Sequence, residues 1–195
     1  MKAIVFDRFG DTDVLHEADI EVPQPGPGQV RVRVKAAGVN GIDGKTRSGM
    51  LEAVKPTTLP AVPGGELAGV VDALGEGVQD VQVGDEVLGW SDTGSYAQYA
   101  LATTVAPKPA GLDWQDAAAL PVASKTAERV LNLLGVAAGE TVLMHGASGG
   151  VGTLAIQLAT AAEHASSPPQ APPTRTTSPR SAPPRPCTAR AWSSG

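Results

Sequence analysis

The residues with the clearest chemical potential form a glycine-rich run at residues 146–152, Gly-Ala-Ser-Gly-Gly-Val-Gly. A short apolar run at residues 141–145 precedes it, and apolar residues at helical spacing follow it, which predicts strand, loop and helix in that order. Gly149 allows the backbone to approach a pyrophosphate closely, and Gly152 allows the helix to pack tightly on the strand. The free N–H groups and the positive dipole end of the helix N-terminus then favour phosphate binding.

The run departs from a full dinucleotide-binding pattern at one position. Ala147 stands where the first glycine of G-x-G-x-x-G is expected. A tight turn without a ligand is the alternative to a cofactor loop, and the flanking strand and helix favour the cofactor loop. We therefore predict that a cofactor contacts the backbone of Ala147, Ser148, Gly149, Gly150, Val151 and Gly152.

The segment before residue 109 must position this loop, and its pattern is that of a β domain. Residues 30–35 alternate apolar and charged side chains, which is typical of a strand with one face in water. Many short strands at regular spacing favour a small barrel over a parallel sheet. Further strands are predicted at residues 70–71, 81–83 and 86–88, with turns at 25–28 and 75–77.

Helices are predicted between the β segment and the glycine run. Asp113 is a candidate N-cap, and Pro121 is expected to break or kink the helix that follows. A second helix should end at Gly135. Its buried face is predicted to carry Ala127, Val130, Leu131 and Leu134.

Composition limits the classes of partner. The net charge of the 195 residues is −5, which gives no electrostatic reason to expect nucleic acid. The one cysteine, Cys187, cannot form an internal disulfide. Because no apolar run is long enough to cross a bilayer and none resembles a signal peptide, we expect a cytoplasmic protein without a membrane partner.

The C-terminal segment has a different composition from the rest of the chain. Residues 165–195 contain four arginines, no acidic residue and eight of the 17 prolines. A second parallel strand should follow the helix after the glycine run, but a proline-rich segment with so little apolar surface cannot form one.

The motifs taken together resemble one family. The run at 142–152 closely resembles the cofactor loop of the zinc-free quinone oxidoreductases, the zeta-crystallin-like branch of the medium-chain dehydrogenases/reductases. The resemblance covers nearly everything before Glu163. Five further motifs occur in the order and spacing of that family, at residues 25–30, 36–40, 63–69, 83–87 and 117–121.

This resemblance implies an α/β fold overall, in which an N-terminal GroES-like β-barrel is followed by the first βα unit of a truncated Rossmann domain. The expected boundaries are a catalytic barrel over 1–112, linker helices with the start of the NADP-binding domain over 113–164, and a disordered tail over 165–195. The implied activity is hydride transfer from NADPH to a quinone or an activated alkene or carbonyl. The alternative is a truncated, inactive remnant that consists of the folded barrel. Intact relatives are expected to form homodimers.

By the same resemblance, Asn40 and Thr126 are the candidate catalytic and cofactor-binding residues near the nicotinamide. Asn40 would orient the nicotinamide or the acceptor carbonyl, and Thr126 would hydrogen-bond the carboxamide. Neither is assigned an acid or base role, because hydride transfer depends mainly on orientation. A plain turn residue and an ordinary helix hydroxyl are the respective alternatives.

Four other residues are weaker candidates. Asp43 and Lys45 resemble a family pattern that begins at Asn40, and an exposed ion pair explains them equally well. Tyr96 and Trp90 are candidates for the acceptor pocket, with core packing as the favoured alternative. Three scattered histidines have no predicted catalytic role. His145 is expected on the buried strand as a core or loop residue, and His16 is expected on a solvated strand face.

We predict that the protein binds no metal. Zinc-dependent relatives place a cysteine and a histidine where this chain has Asn40 and Gly65, and neither residue type replaces a thiolate or an imidazole as a zinc ligand. Elemental analysis of chelator-free protein should give substoichiometric zinc. One zinc per chain would contradict the assignment to the zinc-free branch.

We also predict that the chain after about Thr160 is an out-of-frame translation, with a genuine low-complexity tail as the alternative. The genetic code permits a shifted reading of this segment that spells an apolar strand, a polar turn and a helix start, similar to the family's second strand. Resequencing should find a single-base insertion or deletion near the codons for residues 160–165 relative to an intact copy. An unshifted gene whose alternative frame meets a stop at once would contradict this.

Overall fold

A computed structural model describes residues 1–137 and 139–166 of the chain, with side chains described as far as residue 161. The predicted tail, including Cys187, lies outside these residues, apart from Ala165 and Ser166 at the end of the last helix.

The chain begins with a two-stranded antiparallel sheet. Strand β1 (Lys2–Val5) pairs with β2 (His16–Asp19), and a 3-10 turn at Thr12–Val14 lies between them. His16 is exposed on β2, as predicted. Isolated bridges from Ala3 to Ala97 and from Phe6 to Ala61 tie this sheet to the segments around the larger one.

The larger sheet has five antiparallel strands in the order β6-β3-β4-β5-β7. Their bounds are β3 (Val30–Ala37), β4 (Glu66–Leu74), β5 (Glu86–Trp90), β6 (Tyr99–Ala102) and β7 (Val105–Pro107). The strands predicted within β3, β4 and β5 are therefore confirmed. Alternate residues of these strands form the main core, with Val30, Val32, Leu67, Val71, Val87, Ala100 and Ala102 all buried.

The strand predicted at residues 81–83 is wrong. Gln82 and Asp85 form a local turn there: the Asp85 side chain accepts from the Gln82 N–H at 2.9 Å, and the Asp85 N–H donates to the Gln82 carbonyl at 3.1 Å. A side chain that bonds the backbone locally competes with strand pairing. Val83 accordingly lies in an exposed turn that leads into β5.

A short helix, α2 (Trp114–Ala118), packs against the sheet. The Asp113 side chain accepts from the Asp116 N–H at 2.7 Å, which confirms the predicted N-cap. Ala117 and Ala118 are buried against Ala68 of β4. The first compact unit of the chain runs from Met1 to Val122 and includes α2, which was predicted to belong to the linker.

The next helix, α3 (Leu120–Leu134), begins directly after Ala119. The predicted break is confirmed, and Pro121 lies in the first turn of α3, where its missing N–H costs no intrahelical bond. Gly135 follows the helix end, as predicted. Of the face predicted to be buried, Ala127 is buried, whereas Val130 and Leu134 are exposed.

In the second compact unit, which begins at Ala123, the predicted strand at residues 141–145 does not form. These residues show no strand pairing, Leu143 is 87% exposed, and His145 is exposed rather than in a core. A buried strand of a parallel sheet exists only with neighbours on both sides, and the described residues supply none. The following helix, α4 (Gly150–Ser166), does form. No helix in the described parts of the chain has the length and apolarity needed to cross a membrane.

Candidate active site

Asn40 lies at the N-terminus of a second short helix, α1 (Gly41–Arg47), which follows β3. The Asp43 side chain caps the start of this helix: the Asn40 backbone N–H donates to Asp43 Oδ2 at 2.8 Å, and the Asp43 N–H donates to the Asn40 backbone carbonyl at 3.0 Å. Asn40 is therefore an N-cap with a fixed backbone, and its half-buried side chain turns toward the sheet.

A buried carboxylate receives that side chain. Glu66, the first residue of β4, is 2% exposed. Its Oε1 accepts from Asn40 Nδ2 at 2.6 Å, and its Oε2 accepts from the backbone N–H of Val122 at 2.7 Å. Both oxygens of the carboxylate are thus hydrogen-bonded, which is the condition for burying a charged group without a large penalty.

Strand register and helix packing bring these three residues together. Ala37 pairs with Leu67 across β3 and β4, so the chain leaving β3 passes beside Glu66 and reaches Asn40. Glu66 and Ala68 lie on the same face of β4 because side chains alternate along a strand. Helix α2 packs on Ala68 and leads directly into α3. The backbone amide of Val122, in the first turn of α3, therefore lies next to the Glu66 carboxylate.

Tyr96 extends the network on the other side of Asp43. Its hydroxyl donates to Asp43 Oδ2 at 3.1 Å. Burial, together with the charge and hydrogen bond of Asp43, raises the pKa of Tyr96 well above its usual range. The phenol therefore keeps its proton at any physiological pH and acts as a hydrogen-bond donor.

Gly152 of the glycine run packs tightly, but against the loop at Gly146 and Ala147 and not against the predicted strand. A Cβ at Gly152 would overlap the carbonyl oxygen of Gly146 and lie 2.7 Å from the Ala147 Cα, so the first turn of α4 can approach the loop only through a glycine. The Gly149 N–H donates to the Gly146 carbonyl at 3.1 Å and closes the turn. The backbone at the start of α4 is exposed, with Ser148, Gly149, Gly150 and Val151 all open to solvent.

The candidate residues fall into the two compact units. Asn40 belongs to the first, in contact with Asp43 and Glu66, whereas Thr126, half-buried in α3, and residues 147–152 belong to the second. Within the described residues Asp43 makes no ion pair with Lys45; its carboxylate serves the network instead. The alternative of an exposed ion pair is therefore wrong.

The structure also decides two further expectations and contains one buried charged residue that was not predicted. Trp90, at the end of β5, is 36% exposed, so core packing is wrong for it. Tyr96 is half-buried, but its hydroxyl is engaged by Asp43 rather than packed in an apolar core. Glu66 was not predicted as a site residue. Its position at the start of the apolar run Glu-Leu-Ala-Gly-Val-Val nevertheless indicated a buried charge that needs hydrogen-bond donors.

The chain is similar to known proteins in both sequence and fold. Residues 26–110 match the family model of the alcohol dehydrogenase GroES-like domain. A quinone oxidoreductase of Lama guanicoe is 46% identical over 166 residues, which are 83% of this chain and 50% of that protein. A chloroplastic NADPH-dependent alkenal/one oxidoreductase of Arabidopsis thaliana is 39% identical over 82% of this chain and 44% of its own length.

Solved structures agree as well. The quinone oxidoreductase from Coxiella burnetii superposes with a TM-score of 0.74 at 39% identity, over 84% of this chain and 54% of that one. A mycobacterial protein in complex with NADPH gives a TM-score of 0.76 at 36% identity, over 84% and 51% of the two chains.

These matches define the class of protein as a medium-chain dehydrogenase/reductase with an N-terminal GroES-like domain, and the chain belongs to that superfamily. Within it, the sequence similarity is to the quinone oxidoreductase branch, whose matched members are named as oxidoreductases. The expected fold class is thereby confirmed. The chain spans about half the length of the curated relatives it matches.

The packing around Glu66 yields a prediction for Gly38. A Cβ at this position would overlap Glu66 Oε1 and lie 2.6 Å from Glu66 Cγ, so Gly38→Ala must displace a side chain that both hydrogen-bond donors hold in place. We expect a loss of about 1–3 kcal/mol in the free energy of unfolding, measured by denaturant titration with circular dichroism. Gly44→Ala in α1 is the matched control, because nothing lies within 4 Å of its Cβ. The control should be neutral or stabilising by up to about 1 kcal/mol. Equal stability of the two variants would contradict the assigned packing.

Proposed function

We propose that this chain supplies the barrel and the first cofactor-binding elements of an NADPH-dependent oxidoreductase that delivers hydride to a quinone or an activated alkene or carbonyl without zinc. The observation that carries the proposal is the loop before α4, where Gly152 packs directly on the backbone of Gly146 and Ala147 and the helix N-terminus stays open. Such a cradle suits a pyrophosphate, which needs close backbone approach and free N–H donors.

The residues present fit a dinucleotide. The backbone of residues 147–152 would hold its phosphates, while Asn40 and Thr126 would orient the nicotinamide end. When bound, the cofactor supplies the hydride. A preference for NADPH is supported by the relative named as NADPH-dependent and by the mycobacterial structure that contains NADPH.

The polar network around Asn40 suits orientation rather than proton transfer. Tyr96 keeps its proton, and the carboxylates of Asp43 and Glu66 are occupied as hydrogen-bond acceptors. Fixed hydrogen bonds of this kind hold a ligand in one geometry, which is the main requirement of hydride transfer.

The surroundings of Asn40 favour an apolar acceptor. Val39 and Ile42 flank it and are 82% and 45% exposed. An exposed apolar pair beside a hydrogen-bonding side chain suits a flat, electron-poor molecule that offers one carbonyl oxygen. Quinones and conjugated alkenals share this chemistry, in line with the names of the relatives. We further propose that the intact enzyme works in the cytoplasm as a homodimer.

A second candidate is a folded barrel without catalysis. It is favoured by residues 141–145, which find no strand partner among the residues that the structure describes, and by the exposed Leu133 and Leu134 of α3. Apolar surface and an unpaired segment of this kind are features of an unfinished cofactor domain.

Steady-state kinetics will separate the two candidates. We expect the 195-residue chain to show no turnover of NADPH with a quinone, and a version whose reading frame is restored after residue 160 to oxidise NADPH in preference to NADH. Robust turnover by the 195-residue chain would exclude the inactive barrel. Equal or better use of NADH by the restored protein would contradict the cofactor assignment.

A further inference from the structure

Glu66 joins two parts of the first compact unit through a single carboxylate. One oxygen holds the side chain of Asn40 at the start of α1, and the other holds the amide of Val122 in the first turn of α3. Both partners are donors, so the carboxylate admits one orientation of the Asn40 amide, with Nδ2 toward Glu66 and Oδ1 away from it.

We propose that Glu66 is a positioning residue, which fixes the orientation of the Asn40 amide and the start of α3 together. The effect on cofactor geometry rests on the proposed function, in which Asn40 orients the nicotinamide. The effect on Asn40 and Val122 is a property of the barrel itself and does not depend on catalysis.

The chemistry of the site argues against a space-filling role for Glu66. Burying a carboxylate costs more than burying an apolar side chain of the same size, and the cost is offset only when both oxygens are hydrogen-bonded. The first turn of a helix offers unpaired N–H groups and a positive dipole end, which favour a negative charge. Pro121 has no N–H, and Val122 supplies the amide that Glu66 uses.

The polarity of the hydrogen bonds makes the proposal testable. Glu66→Gln keeps the shape of the side chain but offers one acceptor to two donors. Either the Asn40 amide must rotate and present Oδ1 to the new side-chain N–H, or one donor loses its partner. Asn40→Asp alone would place two carboxylates at a contact that is now 2.6 Å. The double variant Asn40→Asp, Glu66→Gln restores a donor–acceptor match at both contacts with unchanged shapes.

The experiment uses the full 195-residue chain and nuclear magnetic resonance of its amide groups. We expect the Val122 amide and the Asn40 side-chain amide to be protected from hydrogen exchange in the parent chain. Glu66→Gln should shift both signals and weaken their protection, and the double variant, which has no side-chain amide at residue 40, should restore the protection of the Val122 amide. Glu76→Gln is the matched control, because Glu76 is exposed in the turn beyond the far end of β4. In this control variant, the signals of the Asn40 side-chain amide and the Val122 backbone amide should equal those of the parent chain.

Outcomes at these two amides decide the proposal even if Glu66→Gln does not fold. Rapid exchange of both amides in the parent chain would overturn it. An unchanged Asn40 signal in folded Glu66→Gln, or failure of the double variant to restore Val122, would also overturn it.

A titration with two nucleotides tests the link to the cofactor. We expect Glu66→Gln to bind NADPH roughly tenfold more weakly than the parent, the loss of about one hydrogen bond, with unchanged affinity for 2′,5′-ADP, which lacks the nicotinamide. Equal weakening for both nucleotides would indicate general damage and contradict positioning. If the parent chain binds neither nucleotide while the amide signals behave as expected, the proposed function fails and the positioning of Asn40 by Glu66 stands.

Discussion

A carboxylate that is almost out of contact with water is tolerated only when each oxygen accepts a hydrogen bond, and this requirement at Glu66 organises the first compact unit. Its two donors come from segments far apart in the chain, the residue that caps α1 and the first turn of α3. The same requirement explains Gly38, where any Cβ would meet the Glu66 side chain. Glu66 thereby holds the N-cap of α1 and the first turn of α3 in place, and it requires a glycine at position 38.

The network around this carboxylate consists of groups that are joined to one another by hydrogen bonds. Tyr96 stays protonated because it is partly buried beside Asp43, and Asp43 in turn caps the helix whose N-cap is Asn40. Each member fixes the next by a hydrogen bond. A site of this kind selects geometry, which is the main requirement of the proposed hydride transfer.

The second compact unit shows how strongly a parallel sheet depends on its neighbours. Helix α4 and the loop before it form from local interactions, namely the close packing at Gly152 and the turn closed by Gly149. The apolar residues 141–144 have the composition of a buried strand, yet they pair with nothing in the described part of the chain. Local pattern suffices for a helix and a turn, whereas a strand needs partners elsewhere in the chain.

The sequence by itself determined the superfamily, the β character of the first domain, the helix caps and the glycine loop, because each is written in a local pattern. Asp113 as a cap and Gly152 as a close-packed glycine are examples. Only the tertiary structure revealed that Glu66 reaches both Asn40 and Val122, since strand register and the packing of α2 decide that contact. Pairing across a sheet depends on residues distant in the chain, so neither this contact nor the unpaired segment at 141–144 could be read from sequence spacing.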